Sequence, residues 1–97
     1  MLTGKAKEVF RVWLGEPKSF KNLDNIPELV KYAYLIKWFD HVGLIIEIGI
    51  HQRVGGLNLW RGKINNNLYD ELEYKATRME ATKVSIEKAN EIYNSRS

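Results

Sequence analysis

The side chains that could perform acid–base, nucleophilic or metal chemistry are few and scattered. The chain has two histidines, no cysteine and four serines, two of which fall in its last three positions. Asp40 and His41 are neighbours in a predicted helix, where adjacent side chains do not face each other. His51 has no second ligand at the spacing of a metal site. We expect both histidines to face solvent.

Carboxylates and glycines give equally weak signals of chemistry. Asp70, Glu71 and Glu73 follow one another in a predicted strand, so only Glu71 and Glu73 share a side. Two carboxylates without a glycine-bearing loop are weak evidence for a hard cation. The pair Gly55-Gly56 lacks the lysine and the spacing of a phosphate-binding loop. We expect a protein that is not an enzyme, with no catalytic residues, metal, cofactor or small-molecule substrate.

Binding is the chemistry that the basic residues favour. Lysine and arginine neutralise phosphates, and an aromatic ring can stack on a base. A stacking Trp60 must face solvent, although it points away from Arg61 in any regular strand. The alternative is that Trp60 belongs to the core and that the charges form an ordinary solvated edge. The two basic clusters are Lys5, Lys7 and Arg11 on the first helix, and Arg53, Arg61 and Lys63, with Trp60, on a hairpin.

Composition limits the class of protein. A chain of 97 residues, 44% apolar and 28% charged, is typical of one globular domain, here spanning 1–97. Residues 1–21 hold five basic and two acidic side chains and the remainder ten of each, so the net charge of +3 lies in the N-terminal segment. No apolar run approaches the roughly 18 residues of a membrane span, and the N-terminus lacks a signal-peptide stretch. We expect a cytoplasmic protein without a membrane partner.

Hydrophobic periodicity predicts three helices, at about 3–14, 25–42 and 77–94. The second is apolar nearly all round, which predicts that other elements cover it on most sides. The third begins with a capping box at Thr77 and Glu80. Its inner face carries the small residues Ala81, Ser85 and Ala89, so we expect its axis to approach a sheet closely.

Between the second and third helices the period changes to two. Strands are predicted at 44–51, 57–64 and 68–75, with turns at Gly55-Gly56 and Asn65–Asn67 and a bulge in the second strand. The predicted fold class is α+β, in the order α-α-β-β-β-α, with helices packed on one face of a three-stranded antiparallel meander.

The last five elements are similar in order to the double-stranded RNA-binding domain. The final helix resembles that domain's last helix in its Glu80-Ala81 step and its small inner residues. That family grips phosphates with several lysines at the start of this helix, and only Arg78 matches here. Met79 and Thr82 stand where further lysines are expected.

A second resemblance covers most of the chain. Residues 35–46 (LIKWFDHVGLII) and the C-terminal pattern Y-x-x-T-R-x-E-A-T…A-N-E-I-Y-N resemble small proteins of bacteriophages and mobile elements, especially from AT-rich Bacteroidota-type genomes. That family implies no activity. By analogy, small cysteine-free phage proteins include inhibitors of host defence, among them anti-CRISPR proteins, which would place this chain in the cytoplasm of a bacterial host.

We therefore expect a non-catalytic phage or mobile-element protein that engages RNA or a protein–RNA complex. Its most concrete form is an inhibitor of an RNA-guided defence nuclease. The alternative is a protein–protein module of phage assembly or regulation, anchored by Trp38, Trp60 and Tyr69. The oligomeric state is left open. The predicted binding residues are Lys5, Lys7, Arg11, Arg53, Trp60, Arg61, Lys63 and Arg78.

Overall fold

Three helices and a small antiparallel sheet form where the sequence periods predict them. The computed structural model describes residues 2–14, 27–69 and 72–96. The expected helix start at Asn25, the stop signals Gly15 and Pro17, and the pair Asp70-Glu71 lie outside these residues. The elements are α1 (Gly4–Leu14), α2 (Glu28–His41), β1 (Ile46–Val54), β2 (Leu57–Ile64) and α3 (Arg78–Ser95).

The sheet is an antiparallel meander centred on β2. Strands β1 and β2 form its regular ladder. The third strand adds to the other side of β2 through one bridge, in which the backbones of Trp60 and Lys75 exchange two hydrogen bonds of 2.8 Å. Of the predicted strand 68–75, the described part pairs with β2 only at Lys75. The prediction of an α+β fold in the order α-α-β-β-β-α is confirmed.

Residues with positive φ make the two turns of the meander. Gly55 and Gly56 have φ values of 59° and 82°, as the two-residue turn that best matches strand twist requires. Asn65 and Asn66 adopt φ values of 53° and 65°, which asparagine tolerates better than most residues. The register shifts between Ile50 and Gln52, so the bulge lies at His51 in β1. The prediction of a bulge in the second strand is therefore wrong.

Helix α3 lies across the inner face of the sheet at unusually short range. Its first turn is capped by the Thr77 hydroxyl, which accepts a hydrogen bond from the Glu80 backbone N–H at 3.1 Å. Farther along, the buried Ser85 sits directly over Gly62 of β2, and a Cβ atom at position 62 would overlap the Ser85 hydroxyl. The predicted close approach through small residues is confirmed.

Helices α1 and α2 complete the core on the same side of the sheet. Trp38 of α2 is fully buried, with its ring centroid 5.6 Å from that of Phe10 and 5.1 Å from that of Tyr93. Asn94 fastens α1 to the end of α3, because its side chain accepts from the Ala6 backbone N–H at 2.9 Å and donates to the Thr3 carbonyl at 2.9 Å.

Helix α2 is less covered than its composition predicts. Its buried side faces the core, whereas Leu29 is 66% exposed and Val30 and Ala33 are also exposed. The expectation that other elements cover α2 on most sides is therefore wrong, because α2 buries only the side that carries Tyr32, Leu35, Trp38 and Phe39. In the described part of the chain, no helix combines the length and apolar character that crossing a bilayer requires.

The close packing of α3 on β2 makes Gly62 a sensitive position. Gly62→Ala should lower the free energy of unfolding by roughly 1–3 kcal/mol, because the new methyl group must displace Ser85 or the helix. Gly49→Ala on β1 is the matched control, since nothing lies within 4 Å of its Cβ position. Denaturant unfolding of both variants checks this, and equal stabilities would contradict the packing.

Candidate nucleic-acid interface

The sheet has an outer face that the helices leave uncovered. Gly62 and Ile64 of β2 point toward α3 and are buried, so the alternation of the strand turns Arg61 and Lys63 outward. Glu47 and Gly49 lie opposite Lys63 and Arg61 on β1. Two cations and one carboxylate thus share this face, and Lys63 is fully accessible to a partner because it is exposed.

Arg61 is held in place by the segment that follows β2. Its Nη2 donates a hydrogen bond to the Tyr69 carbonyl at 3.0 Å, and its guanidinium carbon lies 5.2 Å from the centroid of the Tyr74 ring. The Nε atom is buried and has no hydrogen-bond partner among the described residues. Tyr74 itself is 40% exposed. A fixed cation, an exposed aromatic ring and a second cation are therefore adjacent on the outer face.

Trp60 lies on the other side of the sheet. It is half-buried on the α3 side, and the guanidinium carbon of Arg78 lies 5.8 Å from its ring centroid. Trp60 therefore does not share a surface with Arg61 and Lys63. Sequence reasoning missed Tyr74 as the aromatic partner of these cations. The period-two alternation of the third strand places Tyr74 on one face of the sheet, but it does not show whether that face carries Arg61 and Lys63.

The remaining basic residues of the hairpin lie apart from the outer face. Arg53 pairs with Asn58 and is exposed near the hairpin tip, on the Trp60 side of the ladder. Arg78 is exposed at the start of α3. The predicted hairpin residues therefore divide into two groups, one on each side of the sheet.

The basic residues of α1 form a separate region. Lys5, Lys7 and Arg11 are all exposed, but at 100° per residue Lys5 and Lys7 are about 160° apart around the helix. Lys7 and Arg11, four residues apart, share one flank. Helix α1 contacts α3 at Asn90 and Asn94, which lie about 18 Å and about 24 Å along the helix axis from Arg78 at 1.5 Å per residue. The structure does not bring α1 and the hairpin into one basic surface.

A groove opens between α2 and the first turns of α3, above β1. Its volume is about 560 Å³, and it is lined mainly by apolar side chains, among them Leu29, Ile36, Ile48 and Met79. Tyr32 also lines it, and its hydroxyl donates to Glu28 Oε1 at 2.9 Å. The rim at Arg78 is the basic part of this lining. The groove suits an apolar side chain of a partner better than a charged one.

The surroundings of Tyr32 change its acidity. Burial, the hydrogen bond to Glu28, and the negative charges of Glu28 and Glu87 together raise the pKa of Tyr32 from 10.0 to about 12. Each of these disfavours the charged phenolate, which would be poorly hydrated and close to carboxylates.

The residues first considered for acid–base or metal chemistry remain dispersed. The ring centroid of His41 lies 6.2 Å from that of Trp13, at the end of α2. The His51 side chain, like Asp70 and Glu71, lies outside what the structure describes. Within the described ranges, no three histidine or carboxylate side chains form a group that could hold a metal ion.

Comparisons with known protein families, with curated proteins and with solved structures give no match. Function is therefore inferred from the side chains that the fold brings together. The outer face with Arg61, Lys63 and Tyr74 and the apolar groove are the two surfaces that these side chains define.

The position of Trp60 predicts a structural role. Trp60→Ala should lower the free energy of unfolding by about 2 kcal/mol, roughly half of what losing a fully buried aromatic side chain costs, because Trp60 is half-buried beneath Arg78. Leu57→Ala at the hairpin tip is the control, since Leu57 is 70% exposed. Thermal and denaturant unfolding measure both variants. A Trp60→Ala variant as stable as the control would mean that Trp60 is a free surface residue.

The raised pKa of Tyr32 predicts a loss of stability at alkaline pH. The folded chain holds the phenol proton more tightly than the unfolded chain, so the contribution is present below pH 10 and is lost as pH rises from 10.0 to about 12. Tyr32→Phe removes this dependence. The stability advantage of the natural chain over Tyr32→Phe should therefore shrink in denaturant unfolding between about pH 10 and about pH 12. A constant difference would contradict the raised pKa.

Proposed function

We propose that this chain is a non-catalytic RNA-binding protein of phage or mobile-element origin, and that the outer face of its sheet makes the contact. The observation that carries the proposal is the fixed arrangement of Arg61 with Tyr74, beside the exposed Lys63. Cations that follow a phosphate backbone, interleaved with an aromatic ring for base stacking, are the common equipment of single-strand binding surfaces.

The fixed orientation of Arg61 supports binding of single-stranded RNA. Arg61 is oriented before binding, because the Tyr69 carbonyl and the Tyr74 ring already hold it. A phosphate contact by such a group loses less side-chain freedom than one made by a mobile lysine. The more concrete form of the proposal is that the bound RNA belongs to an RNA-guided defence nuclease, which the chain inhibits by occupying it. Lys7 and Arg11 form a second basic flank for a large partner.

The apolar groove favours a second candidate, a protein–protein module. Leu29 and Met79 are exposed in its lining, and exposed apolar surface is typical of protein contacts. The expected anchor Trp38 does not contribute, because it is fully buried in the core. Trp60 and Tyr69 are half-buried.

Binding of a fluorescent single-stranded oligouridylate, followed by anisotropy over a salt series, tests the RNA proposal. Affinity should fall with a log–log slope of about −0.7 for each phosphate contacted. Lys63→Glu should weaken binding and flatten this slope by about one contact. Lys83→Glu is the matched control, since Lys83 is exposed on α3, away from the outer face.

Tyr74→Ala tests stacking separately from charge. It should weaken binding by roughly 1–3 kcal/mol if one base stacks on the ring. Trp60→Ala, measured at a temperature where it is folded, should leave the affinity unchanged because Trp60 lies on the opposite side of the sheet. No binding at low salt would refute RNA binding and favour the protein–protein module. Binding that Lys63→Glu spares and Lys7→Glu abolishes would move the site to α1.

A further inference from the structure

Among the described residues, strand β1 is paired on one side only, with β2, and its other edge is unpaired. The Ile45 carbonyl accepts a hydrogen bond from the Asn65 backbone N–H at 2.8 Å, so in the regular alternation the backbone groups of Glu47 and Gly49 also point to β2. The N–H and carbonyl groups of the intervening residues point outward. Among the described residues, no strand or side chain bonds to them. The residues whose backbone N–H and carbonyl groups point away from β2 are Ile46, Ile48 and Ile50.

The regular part of this edge lacks two of the features that commonly prevent pairing with another strand. Residues 46–50 contain neither proline nor lysine, which commonly block edge-to-edge contact. The bulge at His51 ends the regular segment on one side, and β1 begins at Ile46 on the other. The regular edge is therefore five residues long, with Ile48 at its midpoint.

We propose that β1 pairs antiparallel with β1 of a second copy of this chain, across a two-fold axis at Ile48. This register places Ile48 opposite Ile48 of the second copy and Ile46 opposite Ile50 of the second copy. The backbone groups of all these residues point away from β2, so each pair exchanges two backbone hydrogen bonds. The contact is isologous and closes on itself, as expected for a symmetric dimer.

Charge complementarity on the outer face supports this register. It places Glu47 of one copy opposite Gly49 of the other, whose missing side chain leaves a hollow of about 200 Å³ lined also by Arg61 and Lys63. Arg61 lies two strand spacings, about 9.6 Å, from Glu47 of the second copy. The Arg61 guanidinium stays against Tyr69 and Tyr74 and adds positive charge to the hollow. The exposed Lys63 is the cation whose extended side chain can reach the carboxylate of Glu47 of the second copy. Within the described residues Glu47 has no ion-pair partner of its own, and pairing supplies one on each side of the axis.

The inner face of the same edge is apolar. Ile50 is 46% exposed, and the half-buried Ile48 lines the groove between α2 and α3. Pairing brings the isoleucines of the second copy against this surface, next to Leu29 and Ala33. One contact thus covers the open backbone edge and a large part of the exposed apolar surface. It would join the outer faces of two copies into one continuous sheet, whether or not that face binds RNA.

Sedimentation equilibrium of the full chain over a concentration series tests the proposal. A monomer–dimer equilibrium is expected, and Glu47→Lys should weaken it by at least about tenfold, since it sets like charges against Arg61 and Lys63. Glu8→Lys is the matched control, because Glu8 is an exposed carboxylate on α1, and it should leave dimerisation unchanged. A chain that stays monomeric at every concentration would overturn the proposal and leave the edge to an extended segment of another protein.

Cysteine cross-linking tests the register, because the natural chain has no cysteine. Ile48→Cys should form a disulfide-linked dimer on mild oxidation, since hydrogen-bonded partners have Cα atoms about 5.5 Å apart. Gln52→Cys should not, because the two copies of that residue lie about 27 Å apart in this register. The reverse pattern, or a dimer that Glu47→Lys and Glu8→Lys affect equally, would overturn the proposal. If Ile48→Cys does not fold, the comparison of the two charge variants decides alone.

Discussion

The contact between Gly62 and Ser85 sets the distance between α3 and β2, and the rest of the molecule is arranged around it. A glycine on the strand and a small buried residue on the helix allow the two backbones to approach closely. Ser85 satisfies its hydroxyl within the helix, by donating to the Ala81 carbonyl at 2.7 Å, so this polar group costs little when buried. Ile64, two residues after Gly62, and Ile86, next to Ser85, are fully buried in the core.

One consequence is that the sheet has two faces of different chemistry. Because α3 occupies the inner face, period-two alternation leaves Arg61 and Lys63 outward. The segment after β2 crosses back through Lys75 and places Tyr74 against Arg61. The proposed RNA surface is therefore produced by the same close packing that buries Gly62. Trp60, one residue from Arg61, is left to support the start of α3.

A second consequence is that part of the sheet and of α2 is not covered by other elements. The sheet is narrow, with β2 paired on both sides and β1 paired on one. Helix α2 buries only one side, so apolar Leu29 is exposed and a groove lined by Ile48 separates α2 from the start of α3. An open strand edge and an adjacent apolar groove are both reduced when another strand pairs there. The proposed dimer would cover the strand edge and part of the groove with one contact. Helix α1 lies elsewhere and closes the core through Phe10 and Trp38.

The sequence by itself determined the elements and their order, because helical and strand periods, the Thr77 cap and the Gly55-Gly56 turn are local signals. It also predicted the small inner face of α3. It could not determine which side of β2 the helix would cover, because a regular strand carries Trp60 and Ile64 on one side and Leu57 and Leu59 on the other, and both sides are apolar. Only tertiary packing decided that Trp60 faces α3, that Tyr74 joins Arg61, that Trp38 is inaccessible and that α2 is partly uncovered. These depend on contacts between residues far apart in the chain, and local periodicity carries no information about such distances.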